Sequence, residues 1–257
     1  MTLSKVSVCG LNIDRLTMHE ALEQLDALVA ANQSSYICFC EGSLLASVDR
    51  DPSLADVLNN AGMLLPDGIA VSMLTRIARH PVPQRIPGPQ FLPAACEFGL
   101  AKGYRHFFYG GEPGVAELLA SHLATLFPGL QVVGTRSPPF RLLTHDEEKE
   151  ERKVIEAARP HLLWVALGSP KQERWVSEHA QALNVPVLLA VGAAFDFHSG
   201  NRPWAPRWVR AIGMEWLFRM ISGGPRTMRR NLRVVPVAAK MVIRTMLGRN
   251  LLKPEAQ

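Results

Sequence analysis

The chain has 257 residues, of which 47% are hydrophobic and 20% charged, a composition that suits one large α/β domain or two small ones. Its net charge of +5 is uneven, since residues 202–257 hold 12 of the 28 lysines and arginines but only two of the 23 acids. A reducing, cytoplasmic location is expected, because we find no signal peptide, no uncharged apolar window of about 18 residues and no secreted disulfide spacing.

The elements predicted along the chain are those of a parallel sheet. KVSVCGLNIDRLT predicts a β-hairpin that turns near Gly10–Asn12, followed by a helix from about Thr17. Four apolar runs, each followed by turn residues and a helical pattern, predict strands: SYICFC, HFFYGG, LLWVALGSP and VPVLLAVGAAFD. GMLLPDG and LQVVGT predict two more. Because continuous apolar strands that alternate with helices indicate a parallel sheet covered on both faces, we predict an α/β fold.

The loops after the predicted strands are where a ligand is expected, because open parallel sheets bind ligands outside the carboxyl ends of their strands. After residue 201 the pattern becomes helical and basic. We therefore expect a core of residues 1–201 and an appendage of residues 202–257.

One carboxylate, Asp67, lies between a proline and a glycine where the strand in LLPDGIAV is expected to end. Pro-Asp-Gly is also a common turn, so the residues alone leave a structural role open beside a catalytic one.

The stretch FFYGGEPGVAELL predicts a strand, a loop with Gly110, Gly111 and Gly114, and then a helix. Backbone amides at such a helix start can bind phosphate. The loop is neither the dinucleotide-binding G-x-G-x-x-G pattern nor a Walker A sequence, and a tight structural turn is the alternative.

Two further loops place polar side chains after strands. In VALGSPKQERW, Lys171 and Gln172 begin a helix, where a lysine is mildly unfavourable for the helix dipole unless an anion or carboxylate compensates. A solvated first turn, in which Glu173 is favourable for the dipole, is the alternative. In VGAAFDFHSG, Asp196 is either a backbone cap or a ligand contact. His198 is expected to be a structural or rim residue and not a catalyst.

Two patterns that resemble metal sites have simpler interpretations. Asp49 and Asp51 have the i, i+2 spacing of acids that hold Mn²⁺ in many sugar-nucleotide enzymes, but Asp51 followed by proline is typical of a helix start. Cys38 and Cys40 have no further cysteine or histidine cluster that would complete a zinc site, so core thiols are expected. No metal and no cofactor is predicted.

The basic appendage interleaves tryptophans with arginines, and its VAAKMVIRTML segment has the pattern of an amphipathic helix at a membrane surface. This predicts contact with an anionic partner such as phosphate, nucleic acid or lipid headgroups. A solvated basic face that packs through its tryptophans is the alternative.

Together, five segments resemble the WecB/TagA/CpsF family of bacterial glycosyltransferases: LLPDGIAV, GGEPGVAE, VALGSPKQERW, VGAAFDFHSG, and APRWVRAIGMEWLFRM followed by GPRTMRR. They occur in the family's order and spacing. The resemblance implies a Rossmann-like sheet with a C-terminal appendage. It also implies metal-independent, inverting transfer of a sugar from UDP to a polyprenyl-diphosphate-linked acceptor, in the synthesis of teichoic acid, exopolysaccharide or related polymers.

The resemblance also implies roles for residues. Asp67 is the expected catalytic base, and the appendage arginines are expected to close over the diphosphate. The candidate substrate-binding residues are Arg85, Gly111, Lys171, Gln172, Asp196, Arg219, Arg226, Arg229 and Arg230. One carboxylate suffices because UDP leaves as a diphosphate, whereas the alkoxide that leaves in glycoside hydrolysis must be protonated by a second carboxyl group.

Several positions depart from the family pattern. Cys38 and Cys40 stand where a T-x-N sequence is usual, and Gln90 replaces an acid. Trp204 replaces an arginine and Gly224 a glutamate. The donor sugar and the acceptor are therefore not determined by the motifs.

The function expected from the sequence is a UDP-sugar-dependent glycosyltransferase, peripheral on the inner face of the cell membrane. Its expected partners are the UDP-sugar donor, the polyprenyl-linked acceptor and an anionic membrane surface, but no nucleic acid; a homo-oligomer is left open. The alternatives are a Rossmann-type nucleotide-sugar oxidoreductase, disfavoured by the missing dinucleotide pattern, and a non-enzymatic basic-tailed module that binds lipid or nucleic acid.

Overall fold

The computed structural model describes residues 4–206 and, beyond them, Trp208, Val209, Glu215, Leu217, Phe218 and Val237. Most of the expected appendage therefore lies outside the described residues, and the division of the chain at residue 201 stays a prediction.

A six-stranded parallel sheet forms the centre of the described chain, and a two-stranded antiparallel hairpin precedes it. The strands are β1 Lys5–Val8, β2 Leu11–Asp14, β3 Ser35–Cys40, β4 Met63–Pro66, β5 Arg105–Gly110, β6 Gln131–Arg136, β7 Leu162–Ala166 and β8 Val187–Ala190. The order in the large sheet is β4-β3-β8-β7-β5-β6, and every neighbouring pair is parallel. All six strands predicted for the sheet are present, so the α/β prediction is confirmed.

Helices cover both faces of this sheet. They are α1 Met18–Ala31, α2 Gly42–Arg50, α3 Ser53–Asn59, α4 Ile69–Ile77, α5 Gly88–Gly99, α6 Val115–Leu126, α7 His145–Ala158, α8 Lys171–Ala180 and α9 Ala194–His198. Helix α1 begins where the sequence predicts. The Thr17 hydroxyl accepts the N–H of Glu20, and the Glu20 carboxylate accepts the N–H of Thr17 at 2.7 Å, which satisfies two unpaired donors of the helix start.

Alternate residues of the central strands enter two separate hydrophobic cores. On β3, Cys38 and Cys40 pack with α2, α3, α4, α7 and α8, whereas Ile37 and Phe39 pack with α1, α5, α6 and α9. A strand that is buried on both faces is apolar at every position, which explains the continuous apolar runs. Cys38 and Cys40 are fully buried free thiols, as predicted.

The N-terminal hairpin turns at Cys9 and Gly10, and Asn12 already belongs to β2, so the predicted turn at Gly10–Asn12 was slightly late. Both turn residues have positive φ, +53° for Cys9 and +80° for Gly10. Two such residues match the right-handed twist of the flanking strands.

Asp14 attaches this hairpin to the edge strand β4. Its Oδ2 accepts the backbone N–H of Leu64 at 2.7 Å, and its Oδ1 lies 3.8 Å from the ammonium group of Lys5. Burial raises the pKa of Asp14, although the Leu64 N–H and Lys5 act in the opposite direction. The carboxyl therefore satisfies a backbone donor of β4 that no neighbouring strand of the sheet takes up.

We expect Asp14→Ala to destabilise the protein, because it leaves the buried Leu64 N–H without a partner. A buried, unsatisfied donor costs about 1–3 kcal/mol, and urea denaturation measures the loss as a lower midpoint. Glu23→Ala, at an exposed acid of α1, is the control and should change the free energy of unfolding by less than about 0.5 kcal/mol. An unchanged midpoint in Asp14→Ala would contradict the attachment.

Candidate functional site

A cavity of about 270 Å³ opens at the edge of the sheet where the strands end. Its lining includes Phe39 on β3, Asp67 after β4, Gly111 after β5, Ala166 on β7 and Ala190 on β8. Five strands thus contribute their carboxyl ends or the loops that follow. This is the position at which open parallel sheets bind ligands.

Asp67 is held in this lining by the backbone around it. Its N–H donates to the carbonyl of Cys40 at 3.0 Å, and its Oδ2 accepts the N–H of Gly88, the first residue of α5, at 3.3 Å. The next residue, Gly68, packs closely against the chain before α2, because a Cβ there would lie only 3.1 Å from the Cα of Glu41. The Pro-Asp-Gly sequence therefore ends the strand and keeps the carboxylate at the cavity.

Gly111 shapes the cavity without offering its amide to a ligand. It has a φ of +79°, and a Cβ would lie 3.1 Å from Val115. Its N–H donates to the carbonyl of Ala166 at 2.9 Å, so the amide is already used between neighbouring strands. The predicted phosphate-binding loop thus has the expected shape, but the Gly111 amide does not contribute a free donor.

The first turn of α8 forms one wall of the cavity with Gln172 and Glu173. The Nε2 of Gln172 donates to the carbonyl of Ala190 at 3.1 Å and to Oε1 of Glu173 at 3.0 Å. Glu173 is only 1% exposed, and burial raises its pKa to about 7. The alternative of a solvated first turn is therefore wrong for Glu173.

A signal in the sequence could have found Glu173. Val176 and Ala180 are apolar and follow it by three and seven residues, so all three lie on the buried face of one helix. Arg174 and Glu178 lie between them on other faces of the helix, which made the segment read as solvated.

Asp196 lies in the cavity lining and is bound by two neighbours. Its Oδ1 accepts the side-chain N–H of Asn201 at 2.9 Å, and its Oδ2 lies 3.3 Å from Nε of Arg202. Arg202 also lines the cavity, and its other contact is Glu112 at 3.7 Å. Sequence reasoning missed this arginine, because nothing in NRPW indicated that the chain returns to the cavity there.

His198, one helical turn beyond the start of α9, has the structural role that the sequence indicated. Its Nε2 donates to the carbonyl of Pro89 at 2.6 Å, which joins α9 to α5.

The other predicted site residues are not in the described lining of the cavity. Lys171 is exposed and lines a neighbouring pocket with Arg174 and Trp175. Arg85 is half-buried in the segment that joins α4 to α5, three residues before the Gly88 amide that binds Asp67. Four predicted arginines lie outside the described residues: Arg219, Arg226, Arg229 and Arg230.

Asp51, one of the two acids considered for a metal, makes structural contacts instead. Asp51 forms an ion pair with Arg174 and accepts the N–H and hydroxyl of Ser53 at the start of α3. Pro52 is the cap residue itself, one position later than predicted. Among the described residues, no group of three or more histidines, cysteines and acids is placed to hold a metal ion. In the same part of the chain, no helix combines the length and apolar character that crossing a bilayer requires.

Comparison with known proteins gives a family and several relatives. The model of the glycosyl transferase WecG/TagA/CpsF family matches residues 6–251. A protein of Bacillus subtilis (strain 168), named N-acetylglucosaminyldiphosphoundecaprenol N-acetyl-beta-D-mannosaminyltransferase, is 28% identical over 209 residues, which cover 81% of this chain and 77% of the relative. Proteins of the same name from Bacillus spizizenii and Staphylococcus aureus (strain MRSA252) are 26% and 23% identical, over 79% and 91% of this chain and 80% and 90% of their own lengths.

Proposed function

The chain belongs to the WecG/TagA/CpsF family of glycosyl transferases, and on this premise we propose that it moves a sugar from UDP to a polyprenyl-diphosphate-linked saccharide, with inversion. The relatives' name contains an N-acetylmannosaminyl group and an N-acetylglucosaminyl-diphosphoundecaprenol acceptor. These are the first substrates to test with this chain. Family membership favours transfer over the oxidoreductase and the non-enzymatic binding module.

The position of Asp67 carries the proposal. Its carboxylate lines a cavity at the carboxyl edge of the sheet and is oriented by the Gly88 N–H. A general base must lie within hydrogen-bond distance of the proton that it takes. Asp67 would accept the proton of the acceptor hydroxyl as that oxygen attacks the anomeric carbon and the bond to UDP breaks.

Positive groups complete the proposed chemistry, because negative charge grows on the diphosphate as UDP leaves. Arginine stabilises such oxygens through charge-assisted hydrogen bonds. Arg202 already lies at the cavity. We propose that Arg85 and the appendage arginines join it, and that Gly111, Gln172 and Asp196 contact the donor. The further diphosphate candidates are Lys171, Arg219, Arg226, Arg229 and Arg230.

The appendage is proposed to act at a membrane as well as at the site. Its excess of basic residues should be attracted to anionic lipids by about 1 kcal/mol for each base near the surface. A lipid-linked acceptor requires the enzyme to work at that surface, so membrane contact would bring the arginines and the acceptor to the cavity together.

We expect Asp67→Asn to lose transfer while it keeps its affinity for UDP. Asparagine preserves the size of the side chain but cannot accept the proton, which should lower the rate roughly 10²–10⁴-fold. Release of UDP in the presence of acceptor measures transfer, and calorimetry measures binding. Asp56→Asn, an exposed acid on α3, is the control and should transfer at the wild-type rate. Wild-type turnover in Asp67→Asn would rule out the proposed base.

We also expect transfer to continue in EDTA, because arginines are proposed to neutralise the diphosphate and no metal needs to do so. The measurement is the rate of UDP release before and after chelation. Activity that disappears with EDTA and returns with Mn²⁺ or Mg²⁺ would refute metal independence.

Two truncations should separate the two roles of the appendage. Removal of residues 235–257 should weaken binding to anionic liposomes but preserve turnover of a soluble acceptor analogue. Removal of every residue after 203 should abolish turnover of that analogue while circular dichroism still reports a folded sheet. If the longer truncation stays active, the appendage arginines serve the membrane alone.

A further inference from the structure

Two polar atoms in the α8 wall of the cavity lack hydrogen-bond partners among the described residues, Oε1 of Gln172 and Oε2 of Glu173. Both side chains are more than nine-tenths buried, at 4% and 1% exposure. The Ser169 hydroxyl, which also lines the cavity, is close enough to the Glu173 carboxyl to lower its pKa, and its oxygen likewise has no hydrogen-bond partner of normal geometry among the described residues. Buried polar groups in native proteins are nearly always satisfied, so a partner for this wall is missing.

The hydrogen bonds already made determine what each atom can still do. Both amide hydrogens of Gln172 are used, one by Ala190 and one by Oε1 of Glu173, so its free oxygen can only accept. Gly192 stands beside that oxygen, and a Cβ there would lie 3.1 Å from it. The glycine therefore leaves open the approach to Gln172.

The charged and titratable groups around Glu173 disfavour its ionised form. Burial is the largest cause of its raised pKa, and the carboxylate of Glu41 acts in the same direction, whereas hydrogen bonds from its own backbone and from Gln172 act in the opposite one. On β3, the thiols of Cys38 and Cys40 are held neutral by burial, which raises the pKa of both.

Across the cavity stand two acids, Asp67 and Glu215, and the ion pair of Asp196 with Arg202. In its neutral form Glu173 can carry its proton on Oε2 and donate.

We propose that Glu173 is a substrate-binding residue that acts as a neutral carboxylic acid and donates a hydrogen bond from Oε2 to a hydroxyl-bearing ring of the nucleotide sugar. The inference rests on the proposed function and deepens it. A wall with one acceptor and one neutral donor pairs with hydroxyl groups. It does not suit a diphosphate, because phosphate oxygens would meet the carbonyl oxygen of Gln172.

Binding at this wall is coupled to a proton. A ring that covers the wall removes the remaining water, and the diphosphate attached to it adds negative charge; both disfavour ionised Glu173. The nucleotide sugar therefore binds the form of the protein in which Glu173 is protonated. The fraction of the protein in this form falls as the pH rises above about 7. Apparent affinity falls with the fraction of competent protein, on the order of tenfold between pH 7 and 8.5.

The test is calorimetric titration of the full-length protein with UDP-N-acetylmannosamine and with UDP between pH 7 and 8.5. The wild type should bind the nucleotide sugar more weakly as pH rises. Glu173→Gln retains a donor and cannot ionise, so its affinity should not vary with pH. Glu178→Gln, the same change on an exposed part of α8, should retain the wild-type dependence. Glu173→Met, which has similar size and no donor, should bind weakly at every pH.

The two ligands identify the ring that contacts Glu173. A pH dependence for the nucleotide sugar alone assigns the contact to the hexose, and the same dependence for UDP assigns it to the ribose. An identical dependence in the wild type and Glu173→Gln overturns the inference, as does tight binding by Glu173→Met. If neither ligand binds the wild type at any pH, the proposed function fails first, and the inference fails with it.

Discussion

The parallel pairing of every neighbouring strand in the large sheet is the constraint on which the site depends. Parallel strands all end at the same edge, so residues far apart in sequence meet there without a dedicated binding segment. Asp67 follows β4 and Gln172 begins the helix after β7, yet both line one cavity. The hairpin and the helices bury the two faces of the sheet. Asp14 accepts one backbone N–H of the edge strand β4.

Two buried or half-buried carboxyl groups near this edge have different surroundings and, in our proposal, different tasks. Asp67 accepts the backbone N–H of Gly88 at the start of α5, which orients its carboxylate toward the cavity, where we propose that it acts as a base. Glu173 lies in a wall that burial and Glu41 make unfavourable for charge. The same chemical group can therefore serve as a proton acceptor at one position and as a hydrogen-bond donor at another.

Acidic and basic residues are also unevenly distributed along the chain. The cavity contains several acids and, among the described residues, Arg202 as its cation, whereas the appendage carries the basic excess. In our proposal, a nucleotide diphosphate needs more positive charge than the described lining of this cavity supplies. This need links the appendage to catalysis in our proposal and connects membrane contact with completion of the site.

The sequence by itself determined the strands of the sheet, the start of α1, the buried thiols and the motifs of the family, because these depend on local periodicity, capping and residue order. It also placed Asp67, Gly111, Gln172 and Asp196 after strands, where the structure brings them to one cavity. Lys171 was also placed after a strand, but it lines a neighbouring pocket, because α8 leaves its strand in a direction that the sequence did not indicate.

Only the tertiary structure decided which groups surround Glu173, that the Gly111 amide is used by Ala166, and that Arg202 pairs with Asp196. The first two depend on segments that are distant in sequence, and the third depends on the way the chain turns after α9. Hydrogen-bond partners depend on the neighbours that folding brings together, and local patterns in the sequence do not contain them.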